Sequence, residues 1–278
     1  MSSDVTVSKV RETVDWLKAR TKRFKPAVAI IAGSGLANSL PDLENRLDIP
    51  YSRIPNFPKT SVKGHKGELV FGSFKGKGVV VMRGRFHYYE GHQMGFIAFP
   101  VRVLASLGVK TLMVTAAVGS LKPAIKPGDL LLVSDHINLM GSNPLMGNYA
   151  PFFGDMFPEM NEPYDRALRK EALAAARRLK IRAAPGVYLA VSGPSYETPA
   201  EVKAYRLFGG DVAGMSVVPE VIAARQLKMK VLGVCWVSNF TSGVAHAQFD
   251  HAKVLELGEK VSVKVKALFE AVLESGNI

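Results

Sequence analysis

Residues 186–201 couple an apolar, β-rich run to a turn and then to a helix start, and this junction restricts the fold more than any other stretch. Gly186-Val187-Tyr188-Leu189-Ala190-Val191 reads as a strand. Gly193-Pro194-Ser195 supplies turn chemistry, and Pro199 suits the first turn of a helix. Thr198 stands at the N-cap position with Glu201 three residues on, the spacing of a capping box. Tyr196 and Glu197 are thereby placed on a short loop at a strand end. In α/β sheets, ligands bind outside the carboxyl ends of the strands. Two readings of the pair stay open at this point. Either the ring and carboxylate meet a ligand, or the ring packs and the carboxylate complements the helix dipole.

The chain has 278 residues, enough for one large α/β domain or two small ones with an ample core. Nothing at the N-terminus resembles a signal peptide. The apolar run Val231 to Val237 is far too short to span a bilayer, so no membrane partner is expected. Cys235 stands alone and offers no disulfide framework, so the expectation is a small buried hydrophobe in a cytoplasmic protein. The net charge of +12 comes from dispersed lysines and arginines rather than a basic arm or stripe. That pattern fits a surface field attracting a small anion such as phosphate, and no nucleic-acid partner is expected.

Along the chain, Val7, Val10, Val14 and Leu17 recur at helical spacing over residues 5 to about 22. Ala27 to Ala32 reads as a buried strand that ends in Gly33-Ser34-Gly35-Leu36. Asn38 replaces the third glycine of a dinucleotide fingerprint. What remains is a glycine loop, either a tight turn or one that brings backbone N–H groups and the Ser34 hydroxyl to an anion. A polar, proline-dotted stretch runs to about residue 60, followed by Lys63-Gly64-His65-Lys66-Gly67. Glu68 to Phe74 and Val79 to Arg83 read as a hairpin. Residues 93–107 read as helical, Thr111 to Thr115 as a strand, and Leu130 to Ser134 as another. A long loop carrying Phe152-Phe153 follows, then a helix from Arg166 to Leu179. Val212 to Met215 and Val231 to Asn239 read as strands separated by a helix from about Val218, and His251 to about Leu273 as a closing helix.

Chemistry gathers at strand ends. Gly84-Arg85-Phe86-His87-Tyr88-Tyr89-Glu90-Gly91 packs Arg, His, Tyr and Glu into six residues. Arg85 can grip an oxyanion bidentately, with a nearby histidine donating a further hydrogen bond. The His87/His92 spacing matches no metal pattern, and no Cys or His cluster supports a metal site. Ala117, Met215-Ser216 and Asn239 also fall at strand ends.

Five separated motifs, in order over nearly the whole chain, resemble the trimeric purine nucleoside phosphorylases. They are Gly33-Ser34-Gly35-Leu36, Gly84-Arg85-Phe86-His87-x-Tyr89-Glu90-Gly91, Ser134-Asp135-His136-Ile137-Asn138, Gly193-Pro194-Ser195-Tyr196-Glu197-Thr198 and Gly214-Met215-Ser216-x-Val218-Pro219-Glu220. The broader family includes methylthioadenosine phosphorylases. The resemblance implies a single α/β domain over residues 1–278, with a mixed, partly barrel-like β-sheet flanked by helices. It also implies a homotrimer with active sites near the subunit interfaces. The implied reaction is reversible phosphorolysis of a purine nucleoside to free base and ribose 1-phosphate. Inorganic phosphate is then a co-substrate, and no metal or organic cofactor is expected.

By the same resemblance, Ser34, His65, Arg85, His87, the Ala117 backbone and Ser216 bind phosphate. Tyr89 and Met215 contact the ribose, with Tyr188 and His251 towards its 3′ and 5′ hydroxyls. Tyr196 packs on the base, Glu197 hydrogen-bonds its N1/N2 edge, and Asn239 reaches N7 and the 6-substituent. Phe153 resembles an aromatic lent by a neighbouring subunit. His87, Glu197 and Asn239 are the catalytic candidates.

The chain departs from the family pattern in three places, one of them Phe240-Thr241 directly after Asn239. Thr115-Ala116-Ala117-Val118-Gly119-Ser120 stands where these enzymes usually read Thr-Asn-Ala-Ala-Gly-Gly, and it leans towards the methylthioadenosine branch. His251 is followed by Ala252-Lys253 rather than an acidic pair. The principal expectation is an inosine/guanosine-type phosphorylase. The alternatives are a methylthioadenosine or broad-specificity enzyme and, more distantly, a non-catalytic nucleoside or nucleic-acid binder.

Overall fold

Parallel strands buried on both faces need unbroken apolar runs, and β1 (Val28–Ala32) is one, buried at every position. Its side chains alternate between two cores: Val28, Ile30 and Ala32 face one, Ala29 and Ile31 the other. The computed structural model describes residues 3–33, 35–36, 40–57, 66–147, 151–244, 251–276 and 278. Within them the strands are β1, β2 (Glu44–Pro50), β3 (Glu68–Phe74), β4 (Lys77–Arg83), β5 (Thr111–Ser120), β6 (Leu130–Leu139), β7 (Ala183–Val191), β8 (Val212–Gly214) and β9 (Lys230–Phe240). They form one sheet in the order β2-β3-β4-β1-β5-β8-β7-β6-β9, and β9 also pairs with β5. That last pairing closes β5, β8, β7, β6 and β9 into a barrel, with β1 to β4 extending as an open wing. The expected mixed, partly barrel-like sheet is therefore present.

The helices are α1 (Ser3–Arg20), α2 (Met94–Ile97), α3 (Phe99–Ser106), α4 (Arg166–Arg178), α5 (Pro199–Leu207), α6 (Val218–Gln226) and α7 (His251–Glu274). Helices α1, α3 and α6 bury Val10, Val14, Leu17, Val101, Leu104 and Val221 in one core. Helices α4 and α7 bury Leu168, Ala172, Val265, Leu268 and Phe269 in the other. Helix α5 begins as expected: the Thr198 hydroxyl accepts from the Glu201 N–H at 3.2 Å, and the Glu201 carboxylate accepts the Thr198 N–H at 2.8 Å.

Several elements differ from the sequence expectations. Strand β2 lies where a polar, proline-dotted stretch was expected. It is an edge strand with only Ile49 buried, so it lacks an apolar alternation, and its charged face is typical of an exposed edge. Residues 93–107 divide into α2 and α3 at Ala98, just before Pro100 in the first turn of α3. Strands β5 and β6 run past Thr115 and Ser134 because β9 and β7 continue to pair with them.

Candidate active site at the strand ends

The chain leaves β4 through Gly84, whose φ of 120° favours glycine. The Tyr51 hydroxyl donates to the Gly84 carbonyl at 2.8 Å and pins this exit. Arg85 follows, only 1% exposed. Its Nε donates to Glu220 Oε1 at 3.0 Å and its Nη1 to Ser216 Oγ at 3.1 Å, with a further bond from Nη1 to the Thr115 carbonyl. Thr115 ties in the glycine loop after β1. Its hydroxyl accepts the Gly33 N–H at 2.8 Å and donates to the Ile31 carbonyl at 3.1 Å. A Cβ at Gly33 would lie 2.6 Å from the Thr115 carbonyl oxygen, so only glycine fits. Three strand ends thus meet around one buried guanidinium.

His87 is held by Glu90, whose carboxylate sits 3.0 Å from Nδ1 and accepts the His87 backbone N–H at 2.8 Å. The carboxylate favours a proton on Nδ1 and so sets the ring's tautomer. The His87 and Tyr89 rings stack with centroids 4.6 Å apart. Burial first, and Glu90 second, push the Tyr89 hydroxyl up to about 12, so it stays a neutral hydrogen-bonding group. Tyr196 lies within electrostatic reach of Tyr89.

The loop after β7 is fixed onto the end of β8. Gly193, at φ 69°, packs so closely on the Met215 sulfur that a Cβ there would overlap it. Tyr196, 62% exposed, and the half-buried Glu197 follow at the rim. Burial raises the Glu197 carboxyl above the ordinary glutamate range, with Glu201 adding to the rise. The Ser216 N–H donates to the Tyr188 hydroxyl at 3.2 Å. Tyr188 is fully buried, and burial holds its hydroxyl well above the usual tyrosine range. Tyr188 therefore supports Ser216 from beneath.

Asn239 owes its direction to a bulge. The β5–β9 register passes from Val118↔Val237 to Gly119↔Asn239, skipping Ser238. Asn239 Oδ1 accepts from the Ser238 hydroxyl at 2.6 Å and Nδ2 donates to the Phe240 carbonyl at 2.9 Å. These bonds fix the amide orientation and leave Nδ2 one further N–H to offer. Ala117, half-buried, lies on β5 two residues before Gly119.

Phe153 is a correction. Rather than standing exposed on its loop for a neighbour, it is 2% exposed within its own chain. The Arg102 guanidinium covers its ring at 4.7 Å. Gly154 lies against the carbonyl of Gln226, at the far end of α6 from Ser216. A buried cation with no hydrogen-bond acceptor among the described residues draws the ring inward. Ser34 and His65 lie outside the described residues, and His251 opens α7 with its side chain likewise outside them.

Glu90, Thr115 and Glu220 hold the site together without a role assigned from the sequence. Glu90 was signalled by its i,i+3 spacing from His87, whereas Glu220 meets a partner 135 positions away. Among the described residues, no cluster of three His, Cys, Asp or Glu side chains could hold a metal ion. An open cleft of about 850 Å3, lined by Lys18, Arg23, Lys25 and Ser106, adjoins Ala27 and Gly108, before β1 and β5 begin, at the end of the sheet away from this site. Its lysines and arginine are solvated.

The family model of the phosphorylase superfamily matches residues 27–274. Purine nucleoside phosphorylase 1 of Geobacillus stearothermophilus is 46% identical over 250 residues, covering 90% of this chain and 91% of that protein. The crystal structure of Schistosoma mansoni purine nucleoside phosphorylase in complex with adenosine superposes with a TM-score of 0.93 at 37% identity, covering 100% of both chains. Schistosoma purine nucleoside phosphorylase in complex with guanosine gives 0.90 at 37% identity, over 100% of this chain and 99% of that one. By sequence, fold and extent of match, the chain belongs to the phosphorylase superfamily and, within it, to the purine nucleoside phosphorylases.

Proposed function

We propose that this protein catalyses the reversible phosphorolysis of 6-oxopurine nucleosides, inosine and guanosine, to free base and ribose 1-phosphate. The observation that carries the reading is the Arg85 guanidinium, buried beside the Ser216 hydroxyl at the same strand ends as Tyr196 and Glu197. A buried guanidinium beside a hydroxyl suits phosphate, and an aromatic ring beside a carboxylate suits a purine.

Cleaving the glycosidic bond builds positive charge on the sugar and negative charge on the departing base, as in glycoside hydrolysis. Phosphate attacks the anomeric carbon and counters the sugar's charge, so no protein nucleophile is needed. In this scheme Arg85, Ser216, His87 and the Ala117 backbone position phosphate, joined by Ser34 and His65. Tyr89 and Met215 border the ribose, and His251 lies towards its 5′ hydroxyl. Tyr188, expected towards the 3′ hydroxyl, is fully buried and acts by holding the Ser216 backbone. Glu197, ionised, accepts from N1–H of a 6-oxopurine. Asn239 donates its remaining N–H to N7 or O6 and stabilises the charge on the leaving base.

A second reading, a methylthioadenosine or broad-specificity enzyme, is favoured by Ala116-Ala117-Val118-Gly119-Ser120. Base release from a nucleoside panel, with and without phosphate, separates these readings and also distinguishes catalysis from mere binding.

The proposal extends to a homotrimer. Exposed Met146, Phe152, Met156 and Phe157 offer the apolar surface it needs. A fully active monomer in light scattering would contradict it. We also place the protein in the cytoplasm, working without a metal or organic cofactor. Among the described residues, no helix is long and apolar enough to cross a membrane.

A further inference from the structure

We propose that Glu220 is a positioning residue for the phosphate co-substrate, fixing the rotation of the Arg85 guanidinium; this rests on the phosphorolysis reading. Arginine has a long, flexible stem, and its planar fork is selective only when its rotation is fixed. Arg85 is anchored on two sides. Nη1 meets the Thr115 carbonyl and Ser216 Oγ, while Nε meets Glu220 Oε1 at 3.0 Å with both side chains buried. The Nε contact comes from a charged acceptor.

Two further observations point to Glu220 as more than packing. Its second carboxylate oxygen, Oε2, is buried without a hydrogen-bond partner among the described residues. Such an oxygen is costly, and a carboxylate kept only for stability would be satisfied at both atoms. The hydrogen bond and ion pair that this carboxylate makes among the described residues go to Arg85.

The second observation is the corner that delivers Glu220. Val217, fully buried and β-branched, sits at φ 69° and ψ −57°. The Val218 N–H donates to the Ser216 carbonyl at 2.8 Å. This is a γ-turn of the rare, strained kind. Through it, Ser216 and Glu220 reach Nη1 and Nε of one guanidinium from positions only four residues apart. The first turn of α6 also stabilises the Glu220 charge through the helix dipole.

The test is steady-state kinetics on the full-length protein with phosphate and nucleoside varied independently. Glu220→Ala should raise the phosphate KM about tenfold or more, the loss of one charge-assisted bond. The nucleoside KM should stay put and kcat at saturating phosphate should fall by no more than about threefold. Glu220→Gln keeps an acceptor for Nε and should raise the phosphate KM by only about threefold, because a neutral acceptor is weaker. If Glu220→Ala fails to fold, Glu220→Gln alone decides. In an Arg85→Lys background, which removes Nε, Glu220→Gln should have no further effect on the phosphate KM. A phosphate KM that is unchanged or lowered in Glu220→Gln, or effects that add in the double variant, would overturn the inference. Absence of phosphate-dependent cleavage by the unaltered protein would instead overturn the phosphorolysis reading itself.

Discussion

His87 and Glu90 form a closed unit: one carboxylate oxygen of Glu90 takes the His87 backbone N–H at 2.8 Å and lies 3.0 Å from His87 Nδ1. The contact sets the ring's tautomer and aim together. Glu90→Ala should therefore lower kcat/KM by the worth of one charge-assisted bond, about 1.5–3 kcal/mol or roughly ten- to hundredfold. Phosphorolysis rates with circular dichroism as a fold control check this. Unchanged kinetics would mean His87 is held by other contacts.

Arg85→Ala should raise the phosphate requirement steeply, by about 2–4 kcal/mol of transition-state stabilisation. It should also destabilise the fold by about 3–5 kcal/mol, because Glu220 would be left buried and unpaired. Thermal unfolding and the phosphate KM should move together. A loss of phosphate dependence without a loss of stability would show that the ion pair contributes little.

The pH response follows from Glu197. Burial disfavours its charged form, so it ionises above the ordinary 4.5 of a glutamic acid. In the proposed mechanism cleavage of a 6-oxopurine needs the ionised form, so kcat/KM should fall as pH drops through this raised value. The stability sign is opposite. A raised folded-state pKa contributes stability below the unfolded value and loses it as pH rises through the folded one. Glu201→Gln removes a neighbouring negative charge and should move the acid limb downward. A limb that stays in place in Glu197→Gln would assign it to another group.

Arg102 is fully buried, and among the described residues none of its three side-chain nitrogens has a hydrogen-bond partner. Burial lowers its pKa to about 10. Replacing a poorly compensated buried charge by an apolar side chain of similar length is often neutral or stabilising by about 1–4 kcal/mol. Arg102→Met should therefore keep or raise Tm, despite losing the contact with Phe153. A clear fall in Tm would show that the guanidinium gains an acceptor in the assembled protein.

What could be read from the sequence was local. The capping box at Thr198 and Glu201 and the unbroken apolar run of β1 depend on neighbours within a few residues, and both appear as expected. Strand β2 was hidden because an exposed, charged edge has no period to detect. Phe153 was misplaced because nothing near it in sequence foretells a buried Arg102 on α3. Glu220 was visible as part of a motif, but its partner Arg85 lies on another element, and only the fold joins them.

On the proposed reading, opposed hydrogen-bonding patterns discriminate the base. In that scheme an ionised Glu197 accepts from the N1–H of inosine and would repel the N1 lone pair of adenosine. The Asn239 amide, oriented by Ser238 and Phe240, offers an N–H that suits O6 rather than an exocyclic amine. Asn239→Asp should accordingly move preference towards 6-aminopurines and depress inosine turnover. Most direct is the wild-type protein assayed for base release from inosine, guanosine, adenosine and methylthioadenosine, with and without inorganic phosphate. Phosphate-dependent cleavage with kcat/KM higher for inosine and guanosine is the predicted result. Higher kcat/KM for adenosine or methylthioadenosine, or base release that ignores phosphate, would contradict it.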